Sequence, residues 1–352
     1  MTADRRFPDS LLDDIRARVS LVTLIGRDIR LTRQGREHAG LCPFHSERSP
    51  SFTVSEEKGF FHCFGCGAHG DAFGYLTMRG RSFIEAVTEL ADMAGVAVEG
   101  RRPSAPLAPM VTRLSPEDVE AEQAEDIDKA RALWASTVEG RGSIVEVYLR
   151  DGRGLDLDAI GGVPACLRLA GRLDYWARAK GGGELRVVWS GPAMVAPLVT
   201  PDRRIIGVHR TWLLPDGSDR LRQAEGMALK GKKMLGTHSG AVIPLAGRAA
   251  RMQGGEGIET SLSGWCAVPG LPAVCLGSLG NFSGRKDGSG GWSPWPGLAD
   301  FTWLEDADGK DPADMRGKVE RGMRRLVAAG VTARRAMPPQ GMDMNDLYRR
   351  RG

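Results

Sequence analysis

Apolar residues at Leu11, Leu12, Ile15, Val19 and Val22 recur at helical spacing behind Pro8 and a candidate N-cap, Ser10, and predict one amphipathic helix. That period disappears between Leu41 and Gly70. Three cysteines, paired aromatics and turn residues replace it and predict a small β-rich ribbon. Asp71 is placed to cap a short helix running to Met78. Ser82 and Glu85 form an S-x-x-E capping box for a second helix that carries Ile84, Val87 and Leu90 and stops at Gly95. From residue 101 to 128 the chain is rich in Pro, Ala and charge without a sustained apolar stripe, as in a linker. Residues 129–248 mix one helical stretch with the apolar runs LRVVW (185–189), MVAPLV (194–199) and RIIGVHRTWLL (204–214), which predicts a mainly β or α+β unit. Beyond 249, strand candidates at Ala273–Leu276 and Phe301–Leu304, a helix over Ala313–Ala329 and a strand over Val331–Ala336 predict a parallel α/β sheet.

Composition narrows this picture only slightly. The 352 residues are enough for two or three domains, and 41% hydrophobic with 26% charged residues is ordinary for a globular chain. A formal net charge of +4 permits contact with nucleic acid without requiring it. The N-terminus MTADRRFPDS has no apolar signal core, and no run approaches the roughly 18 apolar residues that cross a bilayer. A cytoplasmic protein with reduced cysteines and no membrane role is expected. The 47 glycines cluster around 181–183 and 280–297, and the second cluster, with Arg285, Lys286 and two tryptophans, reads as a surface loop, with a template-facing flap as the alternative.

The sharpest chemical signal is Cys42-x2-His45, seventeen intervening residues, then Cys63-x2-Cys66. Two-residue gaps let both side chains of each pair turn toward one ion, and the intervening segment can form the hairpin that joins the pairs. Three thiolates and one imidazole would close the shell of one structural zinc. His38, His62 and His69 fall outside the paired spacing, and Cys166, Cys266 and Cys275 sit singly among apolar neighbours as core thiols. About 200 residues later, Glu256 opens EGIETSLSG, and LEDADGKDPAD supplies Asp306 and Asp308 at D-x-D spacing. Such carboxylates at strand ends suit a hard divalent ion, Mg²⁺ or Mn²⁺, although an exposed acidic loop has the same composition.

Residues 41–73, LCPFHSERSPSFTVSEEKGFFHCFGCGAHGDAF, closely resemble the zinc-binding domain of bacterial DnaG-type primases. That resemblance implies template engagement and makes Arg48, Lys58, Phe60, Phe61 and Phe64 candidates for phosphate or base contact, with the ribbon core as the other role open to the aromatics. The order Glu-Gly, helix, strand, D-x-D and a terminal MDMNDLY (342–348) resembles a Toprim domain, which implies Glu256, Asp306 and Asp308 as catalytic and metal residues and Asp343 as a fourth metal ligand. Two departures stand out: RMQGG before Glu256 is a poor hydrophobic strand, and GKDPAD follows Asp308, so that Asp311 could share its role.

The expected organisation is thus an α+β multidomain chain. It comprises a zinc-ribbon domain with flanking helices (1–100), a linker (101–128), a primase-like α+β subdomain (129–248) and an α/β Toprim domain (249–352). Arg203, Arg204, Lys230, Lys232 and Lys233 are candidates for holding template or nucleotide phosphates, the GKK run foremost. Expected partners are single-stranded DNA, ribonucleoside triphosphates and a separately encoded replicative helicase, since the chain ends at Gly352 without the helicase-interaction domain of replicative relatives. A mobile-element setting fits that economy. Toprim domains also serve nucleases and topoisomerases, so rival readings are a zinc-ribbon Toprim nuclease and a non-catalytic DNA-binding accessory protein. A topoisomerase lacks support, as no tyrosine sits in a recognisable cleavage module.

Overall fold

The first apolar run folds as two helices, α1 (Asp9–Arg18) and α2 (Leu21–Gly26), where one was expected. Val19 between them is extended, and the Ser20 hydroxyl caps α2 by accepting the N–H of Thr23 at 3.1 Å. A serine that bonds the backbone two or three residues ahead starts a new helix more readily than it continues an old one. The computed structural model describes residues 7–45, 47, 50–97, 116–178, 185–285, 287–306 and 312–350. The chain divides into two compact units, one of Met1–Val119 with Arg178–Leu185 and one of Glu120–Ala177 with Arg186–Gly352.

In the first unit, five short strands pair antiparallel in sequence order: β1 (Thr32–Gln34), β2 (Glu37–Gly40), β3 (Phe52–Ser55), β4 (Phe60–Cys63) and β5 (His69–Gly70). Alternation along β4 turns Phe61 and Cys63 inward and Phe60 and His62 outward. Inside, Phe52 stacks on Phe61 at 5.1 Å, and Tyr75 meets Phe61 edge-on at 5.7 Å. Helices α3 (Ala72–Met78) and α4 (Phe83–Ala94) stand where sequence places them. Asp71 accepts the Gly74 N–H, Ser82 and Glu85 complete their capping box, and Gly95 ends α4 in the left-handed region at φ 68°.

The second unit begins with α5, whose helix spans Pro116–Ala135 and so starts inside the stretch expected as linker. Its solvent-facing residues explain the misreading: Ala130 is fully buried, while Glu122, Glu125 and Lys129 leave no broad apolar stripe to detect. A five-stranded sheet follows in the order β12-β9-β8-β7-β6, from β6 (Val138–Glu139), β7 (Arg168–Arg178), β8 (Leu185–Val199), β9 (Ile205–Trp212) and β12 (Lys232–Gly236). The small hairpin of β10 (Gln223–Ala224) and β11 (Met227–Ala228) precedes β12, and the short helix α6 (Ile144–Val147) runs into a π-helical turn over Tyr148–Gly152.

A parallel four-stranded sheet completes the unit in the order β14-β13-β15-β16. Its strands are β13 (Arg251–Gly255), β14 (Ala273–Cys275), β15 (Asp300–Leu304) and β16 (Thr332–Ala336), and its helices are α7 (Ile258–Ala267), α8 (Leu279–Ser283), α9 (Pro312–Ala328) and α10 (Met344–Arg349). Single bridges Val199–Val242 and Ile243–Cys275 connect the two sheets, and Met194, Leu198, Leu245, Leu262 and Cys275 share one core. The expected boundary at 248/249 therefore falls inside one unit.

Two expectations about this sheet need correction, each for its own reason. RMQGG is its interior strand, β13, because glycine there admits neighbours no side chain would: a Cβ on Gly254 would meet the Val274 carbonyl oxygen at 2.4 Å. The glycine-rich segment 280–297 is only in part a surface loop: residues 287–290 are exposed, but Trp292 and Trp295 are buried with Phe301, Val319 and Leu326, and Phe282 stacks on Trp303 at 3.9 Å. Among the described residues, no helix is long and apolar enough to cross a membrane. Gly254→Ala is expected to lower unfolding stability by about 1–3 kcal/mol, read as a fall in urea midpoint, whereas Gly247→Ala, which has open space at its Cα, leaves that midpoint nearly unchanged.

Candidate functional site

The ribbon brings Cys42, His45, Cys63 and Cys66 together, with one ligand atom from each inside 4.8 Å of the others. Zinc bonds of about 2.3 Å to sulfur and 2.0–2.1 Å to nitrogen in a tetrahedron imply edges of about 3.8 Å between sulfurs and 3.6 Å between sulfur and nitrogen. Cys42 Sγ and Cys66 Sγ stand 3.8 Å apart, and Cys63 Sγ and His45 Nδ1 3.7 Å apart. The donor set and its spacing fit zinc. Burial pushes the Cys42 thiol up; at Cys63 burial acts in the same direction, but hydrogen bonding, to which the N–H groups of Cys66 and Gly65 contribute, outweighs it and brings that thiol down. No such four-residue group recurs among the described residues.

The acidic residues are set by the parallel sheet. Gly255 of β13 pairs with Leu304 of β15, so Glu256 and Asp306 leave adjacent strands at their C-terminal ends, where open α/β sheets place ligand sites. The Thr260 hydroxyl, from the first turn of α7, stands 3.1 Å from both Asp306 oxygens, and the Met344 N–H approaches Asp306 at 3.4 Å. Asp343 caps α10 through a capping box with Asp346, so its carboxylate serves the helix start one residue from that contact. Asp308 and Asp311 lie outside the described residues. Glu305, between the strand and Asp306, is held by a two-pronged pair with Arg335 at 2.7 and 3.0 Å.

A second carboxylate, which the sequence reading passed over, lies beside them. Glu259 is 8% exposed, accepts the Tyr148 hydroxyl at 2.6 Å and pairs with Lys232 at 2.7 Å. Burial opposes its charge, yet the Lys232 ammonium and both hydrogen bonds hold it well below the usual carboxylate range. Arg153 donates to the Tyr148 hydroxyl and to Asp219, while Asn345 of α10 donates to the Arg153 carbonyl. Lys232 is thus committed inside the protein. Lys233 is too, donating to the Trp176 carbonyl at 2.6 Å with its ammonium 4.0 Å from the Tyr175 ring centroid. Of the three lysines 230, 232 and 233, only Lys230 is exposed.

Sequence comparison decides the first unit. A family model described as CHC2 zinc finger matches residues 7–105. Over 92 residues, 26% of this chain, the sequence is 52% identical to a DNA primase of Geobacillus stearothermophilus, and over 95 residues, 27% of this chain, it is 45% identical to a DNA primase of Listeria innocua. Residues 7–105 are a CHC2 zinc finger. The chain spans 15% of the length of either primase. A second family model, a domain of unknown function (DUF7146), matches residues 124–245. Among solved structures the chain is similar to the Aquifex aeolicus primase with its zinc binding and RNA polymerase domains, 19% identical across 97% of this chain and 82% of that one with a TM-score of 0.33. It is also similar to a DnaG catalytic core, 15% identical across 65% and 76% of the two chains with a TM-score of 0.38.

On the CHC2 zinc finger, Phe61 is fully buried, so its expected base contact gives way to a core role imposed by the alternation of β4. Phe60 and Phe64 are 40% and 70% exposed, and with His62 and His69 they form an outward aromatic strip, His62 lying 4.5 Å from Phe64 and Phe60 6.0 Å from His69. His62 was legible from the same period-two spacing as Phe60 and Phe64, whereas His69 joins them by pairing opposite His62 from β5. Lys58 is exposed in the turn before β4, and Arg48 lies outside the described residues. In the other unit Arg203 is exposed in the left-handed region at φ 66° on the β8–β9 turn, with Arg204 paired to Asp202 beside it.

Two outcomes follow from these geometries. Chelating zinc, or replacing Cys63 by Ala, is expected to abolish the calorimetric melting transition of the zinc finger while that of residues 120–352 persists; two unmoved transitions would contradict a structural metal. His209, opposite Met234 on β12, is pushed down by burial and by Lys232 to about 4, from 6.5. Between those values the unfolded chain holds more protons, so stability present above pH 6.5 is lost as pH falls toward 4. In urea midpoints measured against pH, His209→Gln should flatten that limb and leave the separate loss below about 4.5, where the unfolded chain takes up the proton that Glu259 refuses in the folded state.

Proposed function

We propose that this chain is a DNA primase of the DnaG type, joining ribonucleotides into short RNA primers on single-stranded DNA. What carries the reading is a CHC2 zinc finger, at 45–52% identity to that of primases, on the same chain as a parallel sheet with Glu256 and Asp306 at adjoining strand ends. In the proposed reaction the 3′ hydroxyl of one ribonucleotide attacks the α-phosphate of the next, the new phosphodiester forms and pyrophosphate leaves. Glu256, Asp306 and Asp308, with Asp343 as a fourth candidate, would hold Mg²⁺ or Mn²⁺, which supplies charge neutralisation and alignment of the triphosphate. Residues 249–352 would then be a Toprim domain, and residues 129–248 the part of the core that carries template. Lys58, Phe60 and Phe64 on the zinc finger and Arg203 and Lys230 on the second unit are the exposed groups suited to phosphates and bases. A replicative helicase is the proposed partner.

Zinc-loaded protein incubated with single-stranded DNA, Mg²⁺ or Mn²⁺ and labelled ribonucleotides is expected to yield short template-dependent oligomers. Asp306→Ala should abolish them, and Phe64→Ala should weaken template binding by about 1–3 kcal/mol if one base stacks there. Shortened DNA in place of labelled RNA would make the chain a nuclease, and neither product with DNA binding intact would make it an accessory protein.

A further inference from the structure

Glu47 lies between the two ligand pairs of the zinc finger, and its side chain is 9% exposed. One carboxylate oxygen accepts the backbone N–H of Cys42 at 2.7 Å and that of Ser51 at 3.1 Å. The other accepts the Ser51 hydroxyl and stands 3.3 Å from His45 Nε2. Ser51 extends the connection: its hydroxyl oxygen accepts the Gly65 N–H at 3.1 Å and lies 3.2 Å from Cys63 Sγ. A single carboxylate therefore reaches the cysteine and histidine of the first pair directly, and the second pair through one serine. Gly65 leaves the room for this, since a Cβ there would meet His45 Nε2 at 2.6 Å and Ser51 Oγ at 2.7 Å.

The two imidazole nitrogens are thereby given different work. Nδ1 faces Cys63 Sγ at 3.7 Å, the separation of two ligands on one zinc, while Nε2 faces the carboxylate. A neutral ring that lends Nδ1 to a metal keeps its proton on Nε2, and a carboxylate at that proton fixes the tautomer and the ring plane. We propose that Glu47 is a positioning residue of the zinc site, which holds His45 as an Nδ1 ligand by accepting its Nε2–H and draws both ligand pairs into register through Cys42 and Ser51. The same carboxylate is suited to orient the site before metal arrives, because its bonds to the Cys42 and Ser51 N–H groups need no ion.

Zinc affinity of the full chain, measured by competition with a chromogenic chelator, tests this separately from primer synthesis. Glu47→Gln is expected to weaken zinc binding by about 10–100-fold. Glu56→Gln, which alters a carboxylate that accepts the Val22 N–H elsewhere on the same unit, is expected to leave it unchanged. Nitrogen-15 shifts of His45 in the zinc-loaded wild-type protein should report a metal-bound Nδ1 and a protonated Nε2, a readout that needs no variant to fold. Zinc affinity of Glu47→Gln within twofold of wild type, or metal on Nε2, would overturn the proposal.

Discussion

A carboxylate removed from water must be answered, and in the second unit the one at Glu259 is answered from two distant parts of the chain. Leaving such a group unpaired costs several kcal/mol, so Lys232 of β12 and Tyr148 of the π-helical turn are obliged to meet it. Those contacts connect the antiparallel sheet to the first turn of α7. Glu256 precedes that turn and Thr260, which bonds Asp306, lies within it. The placement of the proposed catalytic acids thus depends on an ion pair that takes no part in the proposed chemistry.

That dependence explains why the lysines at 232 and 233 were misread. A run of three cations in four residues reads as a phosphate cradle, but the partner of Lys232 is 27 residues away and becomes its neighbour only when α7 docks. Lys233 is likewise claimed by Tyr175 and Trp176 of β7. Phe61 was misread for a more local reason, because a composition of paired aromatics does not say which of two adjacent rings faces in. The alternation of β4 does, and it would have named Phe60, His62 and Phe64 as the outward set, the two phenylalanines exposed and His62 half-buried.

The features that were legible are those whose determinants lie close together in sequence. The zinc ligands sit in two short pairs, the caps of α3 and α4 depend on residues three apart, and the parallel order follows from alternating strand and helix signals. β13 escaped because its logic is steric: Gly254 and Gly255 are where neighbouring strands and Thr260 come too close for a side chain, so an interior strand lacks the apolar run expected of one. Trp292 and Trp295 escaped because glycine around them suggested solvent, whereas burial of large rings against Phe301 outweighs the backbone freedom that glycine brings.

The two proposed metal sites make opposite demands on the chain. A closed shell of three sulfurs and one nitrogen leaves zinc no position for water or substrate, so its influence on chemistry has to be geometric. β4 transmits that influence. Cys63 on its inner side binds the metal, while Phe60 and His62, together with Phe64 just beyond the strand, project outward from the same few residues. Losing zinc frees the inner side and with it the spacing of the outer rings. The proposed carboxylate site at the ends of β13 and β15 would instead be open, its ion exchanging ligands with a triphosphate, and there a rigid sheet would supply the constancy that a full coordination shell supplies in the zinc finger.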